Sequence, residues 1–474
     1  MENALLSSDR NKIIVTEVEV RKHLKGLNIR KATGPDSISN RILRLCSDQL
    51  AYVISRLFQL SLDSCKIPLV WKTSCIIPVP KTPKPCTKND YRPVAPTSNV
   101  IKCLEKIILD HLVKATVEYH DPYQFAYRAN RGTDDAVLTL LHRVYQHLDQ
   151  PKTSVRMLFV DFSSAFNTIQ PHLMAEKLIN MHVDPGLVLW VLDFLIGRAQ
   201  FVKVDKIVST MRQTSTGAPQ GCVISPVLYT LYTADCRPVS DTSSDILLKY
   251  ADDECLVGLI REDSSAIYEE EVERLSSWCS ENFLHMNVKK TKELVIDFRK
   301  NCQPPPTLKL NGEAVERVQK YKYLGLLIDD KLNWNDHADY VYKKGRQRLH
   351  FLKRLSKLKM SEKVLERFYE AVVRSVLSYC LPCYCGSLSS DNKRKLDRII
   401  KQASKTIHVP LTHFDSLCQH YMEKKAQNIL LDITHPLHSM FCLARSGRRY
   451  ISLPARTTRF QRSFTPSAIR ILNM

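Results

Sequence analysis

Residues 246–260 read Ile-Leu-Leu-Lys-Tyr-Ala-Asp-Asp-Glu-Cys-Leu-Val-Gly-Leu-Ile. Two apolar runs flank a pair of aspartates, which predicts strand, Asp-Asp turn, strand. A second run, residues 155–162 (VRMLFVDF), has strand length and also delivers an acid, Asp161. Carboxylates beside apolar strands are expensive to bury unless a cation meets them. If Asp161, Asp252 and Asp253 converge they repel one another, and magnesium is the economical answer. Hard oxygen ligands suit it, and it keeps open positions for phosphate and water. Two such ions, roughly 3.5–4 Å apart, would activate a hydroxyl and stabilise the leaving oxygen of a phosphoryl transfer. Taken singly, an Asp-Asp pair is also an ordinary hairpin turn, and an aspartate ending a strand also caps neighbouring backbone.

Outward from these strands the pattern alternates. Residues 16–65 are predicted helical, opened by Thr16 with Glu19 three residues on, a capping-box spacing. Lys31–Asp36 forms a loop. Pro78 to Pro96 holds six prolines between apolar flanks, which predicts two short strands joined by a stiff basic loop. Helix returns over 101–118 and again to about His147, with Thr133 as the expected N-cap before Asp134 and Asp135. Ser225-Pro226 reads as cap plus first-turn proline, opening a helix through Asp235. Residues 264–283 are predicted helical, and 293–298 and 321–328 strand-like. From Asp336 onward the chain is mostly helical and very basic. The fold class expected is α+β with a helical basic C-terminal region.

The chain has 474 residues and a net charge of +20, which points to a polyanionic partner. Hydrophobic residues at 44% and charged residues at 25% argue against wholesale disorder. The longest apolar stretch, Leu187 to Gly197, is interrupted by Asp193 and falls short of the roughly 20 residues a bilayer needs, so no membrane partner is expected. The polar start of the chain is no secretory signal. Fifteen scattered cysteines then read as reduced intracellular thiols.

Three boxes stand in a fixed order: Asp161-Phe162-Ser163-Ser164-Ala165-Phe166, then Gly217-Ala218-Pro219-Gln220-Gly221 with Ser225-Pro226, then Tyr250-Ala251-Asp252-Asp253. They resemble motifs A, B and C of reverse transcriptases. Flanking boxes resemble the LINE-type (non-LTR) retrotransposon branch, especially its jockey-like members. These are Lys31–Asp36, Asp90-Tyr91-Arg92-Pro93-Val94, Gln124-Phe125-Ala126-Tyr127-Arg128, Lys290-Thr291-Lys292 and Tyr323-Leu324-Gly325. The resemblance implies a right-hand polymerase of fingers, palm and thumb with a small antiparallel palm sheet. It implies RNA-directed DNA polymerase activity: template-directed addition of dNTPs to a primer 3′-hydroxyl, with two Mg2+ ions, or Mn2+ in their place. RNA template, DNA primer or nicked target DNA, and dNTPs are the partners it implies, and nuclear residence within the cell is its expected setting.

The resemblance also assigns roles. Asp161, Asp252 and Asp253 would bind the metals. Phe166 resembles the family's steric gate, whose ring would clash with a 2′-hydroxyl and favour dNTPs; its plainer reading is core packing. Gln220 would sit at the incoming nucleotide, with Gly217 and Gly221 letting backbone approach closely. Lys81 and Arg92 would hold the triphosphate, Arg by bidentate contact and Lys as a point charge. Lys290 would protonate the leaving pyrophosphate, in competition with Lys289 and Lys292. Tyr323-Leu324-Gly325 resembles the primer-grip hairpin. Residues 343–359 carry eight Lys or Arg and no acid. There Lys343, Lys344, Arg346, Arg348, Lys353 and Arg354 would track duplex phosphates in the thumb.

The expected division is 1–65 as N-terminal helical extension and fingers, 66–330 as fingers and palm, 331–410 as thumb and 411–474 as a basic tail. In that tail Tyr450, Phe460 and Phe464 are expected to stack on nucleic acid among arginines. Cys380, Cys383 and Cys385 are expected as packed thiols. His408, His413, Cys418 and His420 have loose metal-like spacing without a knuckle pattern. Many jockey-like elements carry a nicking endonuclease before the polymerase, and here the Lys31–Asp36 box begins almost at once, so that nuclease is expected to be missing. The competing reading is a catalytically idle, element-derived nucleic-acid-binding protein.

Overall fold

The computed structural model describes residues 12–238, 245–262, 265–300 and 303–474. Residues 1–11 and the first residue of the helix expected over 264–283 lie outside the described residues. Strands follow in chain order as β1 (Ser74–Pro80), β2 (Tyr91–Val94), β3 (Thr153–Val160), β4 (Arg198–Val204), β5 (Ile207–Val208), β6 (Arg212–Thr214) and β7 (Ile246–Tyr250). Then come β8 (Asp253–Arg261), β9 (Lys292–Asp297), β10 (Lys309–Leu310), β11 (Glu313–Ala314), β12 (Glu316–Arg317), β13 (Lys320–Tyr323) and β14 (Leu326–Asp329). The chain divides into two compact units. One takes residues 1–121, 162–236 and 277–285; the other takes 122–161, 237–276 and 286–474.

In the first unit β1 and β2 form the antiparallel hairpin the prolines predict, with Val79 opposite Arg92 and Pro80 opposite Tyr91. Pro78 faces Pro93, a rung at which neither residue can donate to the ladder. On its other side β1 runs parallel to β4, and β5 and β6 extend from β4; the sequence reading assigned no strand to 198–214. Helix Asn99–Ala115 buries Ile101, Leu104, Ile108 and Leu112 together with the acid Glu105. The Lys31–Asp36 loop closes over its start. A Cβ on Gly34 would lie 2.6 Å from the Thr97 carbonyl oxygen, and Asp36 accepts the Ser98 hydroxyl. Thr16 caps helix Glu17–Lys25 by accepting the Glu19 amide. The expected Ser225 cap is corrected. The cap of helix Ser225–Tyr232 is Ile224 with no side-chain bond of its own; Ser225 is already the first helical residue, and its hydroxyl is buried with no hydrogen-bond partner.

The second unit is built on a sheet of order β12-β9-β3-β8-β7, antiparallel apart from the short parallel β12–β9 pair. All eight residues of β3 are buried, as a central strand covered on both faces requires. On one face helix Thr133–Leu148 packs Leu140, Leu141, Val144 and Tyr145 against Met157, Phe159 and Val257 in one core. Its N-cap is Gly132, not Thr133: the Asp135 carboxylate turns back to accept the Gly132 amide at 2.8 Å, which moves the cap one residue earlier. On the other face Arg156, 1% exposed, meets Glu293 at 2.7 Å and Glu269 at 3.0 Å and lies under the Tyr268 ring.

β13 and β14 are joined through Leu324 and Gly325, both at positive φ (+44° and +89°), as in a two-residue hairpin turn of the mirror type. Helices Asn335–Lys357, Ser390–Ile407 and Phe414–Leu430 follow. The tail corrects an expectation. Phe460 and Phe464 are 3% and 5% exposed and belong to the unit's core, so they are not available for stacking on bases. Among the described residues no helix is long and apolar enough to cross a membrane.

Candidate active site

The antiparallel register of the second unit places the acids. Val160 pairs with Glu254, so the chain carries Asp161 one step further, to the end where β8 begins at Asp253. Tyr250 pairs with Asp253 across β7–β8, leaving Ala251 and Asp252 as the two-residue turn. Asp253 keeps contact with solvent. Its pKa is nonetheless pushed up to about 6, first by partial removal from water and then by the charges of Asp252 and Asp161. Oδ2 of Asp161 is buried with no hydrogen-bond partner, and Nζ of Lys290 stands 3.4 Å from it. The charges of Asp161 and Asp252 thus add to the cost of ionising Asp253, and the three carboxylates form a locus short of positive charge. They are not gathered into a ready cage: among the described residues no group of three Asp, Glu, His or Cys side chains could hold a metal ion as it stands.

The turn is held from beside. Residues 123–126 run along the end of β7, with the Phe125 amide donating to the Lys249 carbonyl and the Lys249 amide to the Tyr123 carbonyl, each at 2.9 Å. Oε1 of Gln124 accepts the amides of Ala126 at 3.0 Å and Ala251 at 3.2 Å. Ala251 has φ +58°. The Asp252 and Asp161 charges also reach outward. Burial and then Asp252 raise the pKa of Tyr127, and burial, Asp253 and Asp161 raise that of Tyr321.

The nucleotide-binding candidates other than Lys290 fall in the first unit. Phe166, in a 3-10 turn after Ser164, is half-buried and stacks on Tyr229 with ring centroids 4.8 Å apart. Its carbonyl accepts the Ala218 amide at 2.8 Å, and the Gln220 carbonyl accepts the Ala95 amide at 2.9 Å. The motif-B loop is thereby tied both to the Phe166 turn and to the strand leaving β2. Gly217 (φ +82°) and Gly221 (φ +123°) are required here. A Cβ on Gly217 would lie 2.8 Å from Asn167, and one on Gly221 would lie 3.2 Å from the Ala95 carbonyl oxygen. Gln220, Gly217 and Asn167 line a cavity of about 270 Å³ with Arg198 and Thr214. Lys81 and Arg92 are exposed on the arms of the β1–β2 hairpin.

Lys343, Lys344, Arg346, Arg348, Lys353 and Arg354 are all exposed on helix Asn335–Lys357. The apolar side of that helix buries Val341, Leu349 and Leu352. Cys380, Cys383 and Cys385 are buried free thiols.

Two supporting residues escaped the sequence reading. Gln124 was quoted only as part of a family box. Glu105 was not singled out, though an acid beside Ile101, Leu104 and Ile108 on an apolar face was a readable signal. It is completely buried, and its Oε2 accepts the amides of Val223 and, at 3.2 Å, Ile224. It thus serves the helix start just after motif B. Burial raises its pKa against the pull of those two amides.

With this geometry in place, comparison with known proteins places the chain. A family model described as Reverse transcriptase (RNA-dependent DNA polymerase) matches residues 79–328, more than half of the chain. A model described as Alkylated DNA repair protein alkB homolog 8, N-terminal, matches only residues 334–375. The chain is 28% identical over 387 residues to the RNA-directed DNA polymerase from mobile element jockey of Drosophila melanogaster, covering 78% of this chain and 41% of that protein. It is 26% identical to the Drosophila funebris protein of the same name over 78% of this chain and 41% of the relative. The Probable RNA-directed DNA polymerase from transposon BS of Drosophila melanogaster is 24% identical, over 82% of this chain and 44% of the relative. The chain therefore spans about two fifths of the length of these curated relatives. On the family match across the strands that carry Asp161, Asp252 and Asp253, the chain belongs to the reverse transcriptase (RNA-dependent DNA polymerase) family.

Proposed function

We propose that the chain is an RNA-directed DNA polymerase of a LINE-type element, extending a DNA primer 3′-hydroxyl with dNTPs on an RNA template. The observation that carries this reading is the strand register that brings Asp161, Asp252 and Asp253 to one end of the β3–β8–β7 sheet. The donor set fits divalent cations: hard carboxylate oxygens, one of them buried without a hydrogen-bond partner. Asp161 and Asp252, with Asp253 completing the cluster, would hold two Mg2+ ions, or Mn2+. When bound, these ions activate the hydroxyl nucleophile and neutralise charge on the leaving oxygen.

The remaining roles belong to side chains. Lys290 beside Asp161 would donate a proton to the leaving pyrophosphate. Phe166, braced by Tyr229, would exclude a 2′-hydroxyl. Gln220 would meet the incoming nucleotide, with Gly221 admitting the close backbone approach. Lys81 and Arg92 would grip its phosphates from the hairpin arms. The β1–β2 hairpin would belong to the fingers, the β3, β7–β9 sheet to the palm, and helices from 335 to 407 to the thumb, whose exposed cations would follow duplex phosphates. Within 1–65, 66–330, 331–410 and 411–474 the same order of parts is proposed, with nuclear residence as the setting.

The test is primer extension on an RNA template with Mg2+ and dNTPs. Extension by the wild type that is lost in Asp252→Asn supports the reading. Salt-sensitive binding of primer–template with no extension under any metal or salt condition overturns it in favour of an idle binder.

A further inference from the structure

We infer that Gln124 is a positioning residue for the catalytic turn: its side-chain oxygen holds Ala251 in the left-handed conformation that presents Asp252. This rests on the polymerase reading and deepens it.

The geometry is local to the second unit. Ala251 is the first residue of the two-residue turn and carries a Cβ at φ +58°. That conformation costs a non-glycine residue about 1–2 kcal/mol and persists where the surroundings over-determine it. The Ala251 amide has left the β7–β8 ladder, which ends at Tyr250–Asp253. It is satisfied by Oε1 of Gln124 at 3.2 Å. The same oxygen accepts the Ala126 amide at 3.0 Å, so one atom pins the turn to the segment that flanks β7.

That segment is itself fixed. The Phe125 and Lys249 amides bond across it at 2.9 Å each, and Phe125, Ala126, Lys249 and Ala251 are all buried. Gln124 is 3% exposed, and its Nε2 is buried with no hydrogen-bond partner. A buried carboxamide that leaves its own donor unsatisfied is present for its acceptor. Asp252, the next residue after Ala251, is exposed, and burial does not hold it; the turn backbone does. A small error in that backbone would displace the carboxylate and act on the reaction more than on the fold.

The experiment pairs Gln124→Met, which keeps length and removes the acceptor, with Ala251→Gly, which adopts positive φ without help. On the full chain with Mg2+, dNTPs and RNA-templated primer, Gln124→Met should lower kcat about 5- to 30-fold, the scale of the strain that a left-handed alanine carries. KM for dNTP and Kd for primer–template should stay within about threefold of the wild type. Gln124→Met/Ala251→Gly should return kcat to within about threefold of Ala251→Gly alone. An equal loss in both backgrounds, or a loss confined to KM or Kd, overturns the assignment.

Amide hydrogen exchange provides a readout independent of turnover. Residues 250–253 should exchange faster in Gln124→Met and the β3–β9 rungs should not. Should the wild type never extend a primer, the polymerase reading fails while exchange still decides the role of Gln124. Should Gln124→Met fail to fold, a double variant that folds and extends like Ala251→Gly supports the inference, and one that also fails to fold overturns it.

Discussion

Nζ of Lys290 lies 3.4 Å from Oδ2 of Asp161, and the turn that carries Lys290 is bonded to the same residue. The Asn287 amide donates to the Asp161 carbonyl at 2.8 Å, and the Lys290 amide donates to the Asn287 carbonyl at 3.0 Å. The Lys290 side chain is exposed, so solvent screens the pair, which contributes at most about 1 kcal/mol to stability; its place beside the acids bears on chemistry more than on folding. Its rival Lys292 is committed elsewhere, donating to the Lys289 carbonyl and to Glu316. Lys290→Ala should slow single-turnover incorporation by about 10²-fold, the ordinary scale of a general acid. Lys292→Ala should stay within about threefold of wild type. Equal effects of the two substitutions would refute the assignment.

Phe166 distinguishes a gate from a packing residue. Its ring rests on Tyr229 with centroids 4.8 Å apart, so Phe166→Ala removes both a contact and bulk. As a gate, the substitution should reduce dNTP-over-NTP discrimination by about tenfold or more, read as a ratio of kcat/KM values. Lowered thermal stability with discrimination unchanged would leave only packing.

Glu105 supplies the acceptor for Val223 and Ile224 at the start of helix Ser225–Tyr232. Glu105→Ala leaves two buried amides unsatisfied and should cost about 2–5 kcal/mol in urea unfolding. Glu105→Gln keeps an acceptor oxygen and should cost less. Because burial raises the pKa of this acid, its titration favours the folded state at low pH, and that advantage is lost as pH rises through the raised value. Glu105→Gln should flatten that slope; an unaltered pH profile contradicts the burial.

Two histidines give the opposite slope. His142 and His337 are 5% and 2% exposed, and burial lowers each to about 4. The His142 Nδ1 lies 3.1 Å from Thr465 Oγ1, and the His337 Nδ1 accepts the Leu327 amide at 3.3 Å. With folded values below the unfolded one, their contribution is present above about pH 6.5 and lost as pH falls toward 4, on the order of 3 kcal/mol for each ring. Denaturant midpoints should drop across that window, and His142→Leu should reduce the drop. A midpoint flat from pH 7 to 4 contradicts both placements.

The strands bearing the acids were legible because their residues are apolar in unbroken runs, so a carboxylate at the end stands out. The β1–β2 hairpin was legible from its prolines. Strands β4 to β6 were not, since their outer residues are exposed and β4, from which β5 and β6 extend, pairs with β1 in a parallel, long-range register, which local pattern does not encode. Arg156 hid inside the run VRMLFV, where its burial depends on Glu293, 137 residues away. The aromatic spacing of the tail suggested stacking on bases. Phe460 and Phe464 are instead core, because Asp149 accepts the Arg456 and Thr457 amides and anchors the tail against helix Thr133–Leu148. Ser225 and Thr133 were each misread as caps because each helix begins one residue earlier; at Thr133 the Asp135 carboxylate accepts the Gly132 amide, a partner that residue-by-residue preference does not reveal.

The most direct measurement is RNA-templated primer extension by the wild type and by Asp252→Asn across a Mg2+ titration, with primer–template binding measured in parallel. The account predicts Mg2+-dependent extension by the wild type and a loss on the order of 10³-fold or more in the variant, about 4 kcal/mol of barrier, with binding unchanged. Extension that persists in Asp252→Asn would contradict the claim that the acids at 161, 252 and 253 carry the chemistry.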